Sequence, residues 1–340
     1  MFYIRADANP EIGSGHVMRC IAIANALRRK GIETTFITAD RSFEELIRRH
    51  GYQIKCLNTN WKCLEDEISS IKKLIFNEQI DKLLIDSYFI SKEYLKQMGN
   101  ITKTIYIDDI NKFVYPVDIL INYNIYANIV IKKEDYAQTN TKLLLGSDYA
   151  PLREEFRDHT SVLKEKVSDI LITTGGSDTY NVAGELMRFL KEKQQYDDLT
   201  LHLVVGSFNK NKSLLEKMAG KYPNVVLHTN VTKMSRLIME CDIAISAGGS
   251  TLYELCACAV PAISFSCADN QLDGVKEFHK QNIIYYAGDV RSDISSCLCK
   301  VEERLGELIS SYELRQNLSR RMYSLVDGQG ADRIADQLMG

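Results

Sequence analysis

Short runs rich in β-branched residues and leucine alternate with amphipathic helical stretches along almost the whole chain. Candidate strands fall at 2–5, 34–38, 53–57, 82–86, 104–107 and 118–121. A second series falls at 169–173, 200–205, 225–228, 243–246, 262–266 and 283–286. Helical periodicity fills the gaps, at 18–30, 43–50, 65–76 and 92–98, then at 182–193, 213–220, 232–240, 251–257 and 273–280. Buried strands separated by helices pair in parallel through right-handed crossovers, so the chain is expected to be α/β. The alternation breaks over 150–166, where Pro151 precedes a charged run (Arg153, Glu154, Glu155, Arg157, Asp158) without an apolar stripe. That segment reads as a linker or as a helix over a domain junction. A length of 340 residues suits two domains. They are expected at 1–155 and 156–340, the second ending in helices at 296–310, 313–325 and 331–338. Open α/β sheets take ligands beyond the carboxyl ends of their strands, so function is sought in the loops there.

Composition narrows the function classes. Apolar residues make up 45% and charged residues 26%, the balance of an ordinary globular protein. A net charge of −3 argues against a nucleic-acid surface, which usually shows a basic excess. Arg5, Asp7 and Glu11 interrupt any N-terminal apolar run, and no stretch approaches the roughly 18 apolar residues of a membrane span. A cytoplasmic protein with neither a nucleic-acid nor a membrane partner is expected. The Cys-x-Cys pairs Cys256/Cys258 and Cys297/Cys299 lack zinc spacing, so the nine cysteines read as buried reduced thiols.

The first strand runs through Arg5-Ala6-Asp7 into a loop with Gly13 and Gly15, and His16 opens the next helix. A strand that turns through glycines into a helix points backbone N–H groups and a positive dipole end at one spot. A histidine there can exchange a proton near neutral pH. The loop alone also reads as a tight turn with a capping histidine. In the second half, one strand runs into Gly175-Gly176-Ser177-Asp178 with Asn181 beyond, and another into Gly248-Gly249-Ser250-Thr251 with Glu254 on the following turn. Each supplies close backbone approach and hydroxyls suited to phosphate oxygens, and each alone also reads as a turn. Neither is a Walker A loop or a Gly-x-Gly-x-x-Gly fingerprint, which disfavours ATP hydrolysis and NAD chemistry. Glu254 suits either a ribose or the helix dipole. Ala268-Asp269-Asn270-Gln271 opens a further helix after a further strand. Asp86-Ser87-Tyr88 and Asp108-Asp109 end two strands of the first half. Paired aspartates there read as turn formers or as an acid/base pair. His50, His159, His202, His228 and His279 show no ligand spacing.

Taken in order, these motifs resemble the UDP-sugar hydrolases of pseudaminic acid biosynthesis. The resemblance runs from Arg5-Ala-Asp7 and Ile12-Gly-Ser-Gly-His-Val-Met-Arg-Cys20 through Asp86-Ser-Tyr88, Gly175-Gly-Ser-Asp178 and Ser246-Ala-Gly-Gly-Ser-Thr-Leu-Tyr-Glu254. It continues through Ala268-Asp-Asn-Gln271 to Asp327-Gly-Gln-Gly-Ala-Asp-Arg333, nearly the whole chain. That family acts on a UDP-linked 2,4-diacetamido-2,4,6-trideoxy-β-L-altropyranose. It is similar to GT-B glycosyltransferases and to spore-coat polysaccharide proteins. The resemblance implies a GT-B-like fold of two Rossmann-like domains facing a central cleft, and a role in surface polysaccharide or flagellin glycosylation. It implies UDP in the C-terminal domain, with Gly249, Ser250 and Thr251 at the diphosphate and Glu254 at the ribose. It implies His16 as the base for water attack at the anomeric carbon with inversion, and Tyr88 and Asn270 on the sugar side. Arg5, Asp7, Gly13, Gly15, Arg19, Gly175, Ser177, Asn181, Gly248 and Gln271 complete the expected substrate-binding set. Asp7, close to His16 in sequence, is suited to orient it. No metal or cofactor is implied, and a monomer is expected. A single base suffices here, because a departing diphosphate needs charge neutralisation rather than protonation, unlike the leaving group of a two-carboxylate glycosidase. The rival reading is a UDP-sugar glycosyltransferase, with an acceptor hydroxyl replacing water. A non-catalytic nucleotide-sugar binder would have no use for His16.

Overall fold

The computed structural model describes residues 2–9, 11–158, 162–206 and 208–340, so His159 lies outside the described residues. The chain forms two compact units, Met1–Glu154 with Gln329–Gly340, and Glu155–Gly328.

The first unit is built on seven strands: β1 (Phe2–Ala6), β2 (Thr34–Thr38), β3 (Gln53–Cys56), β4 (Lys82–Asp86), β5 (Lys103–Ile107), β6 (Ile119–Asn122) and β7 (Lys142–Leu145). They pair in parallel in the order β3-β2-β1-β4-β5-β6-β7. The second unit has six: β8 (Asp169–Thr173), β9 (Thr200–Val205), β10 (Val225–Thr229), β11 (Ile243–Ala247), β12 (Ala262–Ser266) and β13 (Tyr285–Asp289). Their order is β10-β9-β8-β11-β12-β13, again parallel. Central strands such as β1 and β11 are buried along their whole length, because helices cover both faces and polar alternation has no place. In each sheet the strand order reverses once, between β1 and β4 and between β8 and β11. Connections leave opposite faces at those points and open a crevice at the strand ends.

Three expectations need correction. The edge strand β7 was missed, since its Lys142-Leu-Leu-Leu145 run is half exposed and too short to signal burial on both faces. The last strand, expected at 283–286, begins at Tyr285 and continues to Asp289. Its pairing with β12 shifts register at Ser264/Phe265, which brings Gly288 beside Phe265. The second domain, expected over 156–340, lacks its final helix. Gly330–Met339 packs on the helix Gly15–Arg29 of the first unit. Arg29–Asp332 (2.7 Å), Lys30–Asp336 (2.5 Å) and a bond from Lys82 Nζ to the Leu338 carbonyl (2.6 Å) hold it there.

Among the described residues of the segment 150–166, a short 3-10 turn forms at Glu154–Phe156. Its far end is tied down by Arg315, which is fully buried. That guanidinium donates to the carbonyls of Lys164 (2.9 Å), Glu165 (2.7 Å), Leu308 (2.5 Å) and Ile309 (3.2 Å). Carbonyl dipoles stand in for a carboxylate here and serve both the linker and the end of the helix Ile294–Ser310.

Candidate active site

At the first switch point, β1 hands the chain to a loop braced by Asn9. The Asn9 side-chain oxygen accepts from the N–H groups of Glu11 (2.9 Å) and Ile12 (3.1 Å), and its carbonyl accepts from Gly13 N–H (2.8 Å). Gly13 turns the chain in the left-handed region (φ +72°), and the helix begins at Gly15. His16 therefore sits on the first turn, next to the end of β4. There Asp86 pairs in register with Ala6.

His16 Nδ1 lies 2.6 Å from Asp86 Oδ1, and both residues are buried. Arg19, one turn further along the helix, donates from Nε to Asp86 Oδ2 (2.6 Å) and from Nη2 to Oδ1 (2.5 Å). Its Nη1 donates to Asp109 Oδ2 (2.7 Å) and to the Tyr123 hydroxyl (2.8 Å). Cys20 Sγ completes the shell at 3.5 Å from Asp86 Oδ2. Burial by itself would raise the Asp86 pKa, but Arg19 and His16 hold it well below the usual carboxylate range. An ionised Asp86 accepts from Nδ1–H and fixes the tautomer, so Nε2 presents a lone pair. Nε2 carries no protein hydrogen bond among the described residues. Tyr88 meets the imidazole edge-on, with ring centroids 4.3 Å apart. Burial, with Asp109, pushes its phenol well above the ordinary value, so it stays neutral. Asp7, Ile12, His16, Trp61, Asp86, Ser87, Tyr88 and Phe89 line one pocket.

The structure reassigns three expected roles. Asp7 does not orient His16, because its carboxylate accepts from Arg5 Nη1 (2.6 Å) and Ala39 N–H (2.8 Å). Asp86 holds that position. Arg5 is not among the residues lining that pocket. It is fully buried and paired bidentately with Glu67 (2.8 and 2.6 Å), which also accepts from the Tyr94 hydroxyl (2.7 Å). Burial opposes its charge, and Asp7 and Glu67 restore it. Arg19 is likewise committed to protein carboxylates. Both arginines position other groups.

In the second unit, β8 ends in Gly175, Gly176 and Ser177, all exposed. Buried Asp178 accepts from the N–H groups of Val182 (2.7 Å) and Ala183 (3.1 Å), capping the helix Val182–Lys191. Burial raises its pKa, against the pull of those N–H groups. Asn181 precedes the helix in the left-handed region (φ +51°), and its side chain packs on Gly184. Gly206, after β9, has no room for a side chain, because an added Cβ would lie 2.4 Å from the carbonyl oxygens of Gly175 and Gly176. At the end of β11, a Cβ on Gly248 would meet Val275 at 3.1 Å and the Phe265 carbonyl at 3.3 Å. Gly249 is half-buried, Ser250 exposed, and Thr251 and Glu254 lie on the first turn of the helix Thr251–Ala257. Asn270 is exposed on the helix Asp269–Lys280. Gln271 is engaged, its Oε1 accepting from Cys267 N–H at 2.9 Å. All nine cysteines are free. Cys20, Cys241, Cys256, Cys258 and Cys297 are buried as expected, whereas Cys299 is exposed. Among the described residues no group of three His, Cys, Asp or Glu side chains is placed to hold a metal ion, and no helix is long and apolar enough to cross a membrane.

Residues 146–312 match the glycosyltransferase family 28 C-terminal domain. The spore coat polysaccharide biosynthesis protein SpsG of Bacillus subtilis is 27% identical over 341 residues, covering 97% of this chain and 95% of that one. The UDP-2,4-diacetamido-2,4,6-trideoxy-beta-L-altropyranose hydrolase of Campylobacter jejuni is 26% identical over 255 residues, 74% of this chain and 85% of its own. Among solved structures, Acinetobacter baumannii MurG superposes with a TM-score of 0.70 at 11% identity, over 99% of this chain and 98% of that one. Two parallel-sheet α/β domains with such neighbours give this chain a GT-B-like fold, its second half similar to the C-terminal domain of family 28 glycosyltransferases.

Proposed function

We propose that this protein hydrolyses a UDP-activated deoxy amino sugar, releasing the free sugar and UDP. The observation that carries the reading is the His16–Asp86–Arg19 arrangement. A water oxygen bonds to the anomeric carbon as His16 Nε2 takes its proton, and the C1–O bond to the diphosphate breaks with inversion. The bond electrons leave on UDP, which departs as an anion and needs no proton. Asp86 stabilises the imidazolium, and a positioned base of this kind contributes roughly 10²–10⁴-fold. In the second unit Gly175, Ser177, Gly248, Gly249, Ser250 and Thr251 serve the diphosphate, Glu254 the ribose, and Asn270 the sugar. Their position at or just beyond the strand ends, the glycine backbones and the exposure of Gly175, Ser177, Ser250 and Asn270 support that assignment. The Campylobacter jejuni relative supports the UDP-2,4-diacetamido-2,4,6-trideoxy sugar as substrate and its hydrolysis as the reaction.

A second reading, a UDP-sugar glycosyltransferase of surface polysaccharide synthesis, is favoured by the family 28 match and by SpsG. One assay separates the two. The protein is incubated with the UDP-sugar and no acceptor, and UDP and the anomer of the sugar are followed by NMR. Turnover with inversion, lost in His16→Ala, is expected. UDP release only after an acceptor is added would overturn hydrolysis in favour of transfer.

A further inference from the structure

The pocket beside His16 has an apolar side that the catalytic reading leaves unused. Trp61 and Phe89 meet there edge-to-face, with ring centroids 5.2 Å apart and planes at 83°. Trp61 is held on its other side by Lys62, whose Nζ lies 4.8 Å from the ring centroid and 2.6 Å from Glu11. The loop carrying it is pinned by Thr59 N–H to the Ala39 carbonyl (2.9 Å) and by Lys62 N–H to Asn60 (3.0 Å). Ile12 and Tyr88 extend the wall. The carboxylates of the same pocket are already spoken for, Asp7 by Arg5 and Ala39, Asp86 by His16 and Arg19. Against Trp61 and Phe89 a methyl group would gain apolar contact that a hydroxyl would not.

We propose that Trp61 and Phe89 form the specificity wall of this site and select nucleotide sugars that carry a methyl group there, on a deoxy carbon or an N-acyl group. The inference rests on the nucleotide-sugar reading above. Its test does not depend on turnover, because Trp61 is the sole tryptophan of the chain. In His16→Gln, the emission of Trp61 is followed on titration with UDP, UDP-glucose, UDP-N-acetylglucosamine and UDP-6-deoxyglucose. The last two distinguish the N-acyl from the deoxy methyl. At least one methyl-bearing sugar is expected to change the emission and to bind about tenfold or more tightly than UDP-glucose, as one well-placed methyl allows. Calorimetry on Phe89→Ala and Trp61→Ala should show that preference lost with UDP affinity unchanged, and Trp61→Phe should retain it. Equal binding of UDP-glucose and both methyl-bearing sugars, or loss of affinity for UDP itself in the two alanine variants, would overturn the wall. If the preference holds while wild type releases no UDP, hydrolysis fails and the wall stands. If none of the UDP-sugars binds, both fall.

Discussion

The crevice between β1 and β4 and the one between β8 and β11 arise from the same reversal of strand order, but their chemistry differs. In the first unit the strand ends converge on buried charge, with Arg5, Asp7, His16 and Asp86 mostly out of water and each committed to a partner. In the second unit the strand ends present exposed glycine backbone and two serine hydroxyls, at Gly175, Gly176, Ser177 and Ser250. A buried, fully paired cluster fixes the orientation of one group and tolerates little change. An exposed glycine loop offers many weak contacts, none of them decisive. On the function proposed above, reactivity and binding are sorted between two sheets that share the same reversal of strand order.

The sharpest way to break this contrast is at Asp86. Asp86→Asn should lower the turnover number by on the order of 10³–10⁴, since His16 loses the partner that fixes its tautomer. The same change leaves Arg19 facing a neutral group, so the unfolding free energy should fall by about 3 kcal/mol in a denaturant titration. The sign with pH follows from the depressed pKa of this carboxylate. Its stabilising contribution is fully present above its unfolded value of about 3.9 and is lost as pH falls toward the folded value. Acid titration of the variant should therefore show a shallower loss of stability below about pH 4 than wild type.

His16→Ala should reduce UDP release by roughly 10²–10⁴ while leaving UDP affinity, measured by calorimetry, close to wild type. An equal loss of UDP affinity would blur the division between the two units. Gly206→Ala probes the second unit at its tightest point. The new methyl must push the Gly175–Gly176 carbonyls aside, at a cost of about 1–3 kcal/mol in stability and roughly tenfold in UDP affinity. The smallest effect is expected for Ser250→Ala. Loss of one exposed hydroxyl should weaken UDP by about 2–10-fold and leave the melting temperature unchanged.

Much of the fold was legible because buried parallel strands announce themselves. Lys82–Asp86, Thr200–Val205 and Ala262–Ser266 begin and end where their apolar runs do. β7 was not, and the strand expected at 283–286 lies two to three residues later, because an exposed edge and a register shift at Gly288 depend on neighbours that no local window contains. The same limit applied to the site. A glycine turn opening on a histidine flagged His16 locally. Its partner Asp86 stands 70 positions away and becomes a neighbour only once β1 and β4 lie side by side. Asp7, the nearer carboxylate, was the natural choice by distance along the chain. It was wrong because Arg5, two positions earlier, takes it. Trp61 gave no signal at all, being a lone aromatic in a loop without a motif.

The return of Gln329–Gly340 to the first unit has a consequence for biosynthesis. The second unit is a continuous stretch of chain and can fold as soon as it emerges from the ribosome. The first unit begins earlier but cannot cover the outer face of the helix Gly15–Arg29 until residues after Gly328 have been made. Domains generally fold as units and in order of emergence. Here the unit that carries the proposed base gains the helix Gly330–Met339 only after the whole of the second unit has been made.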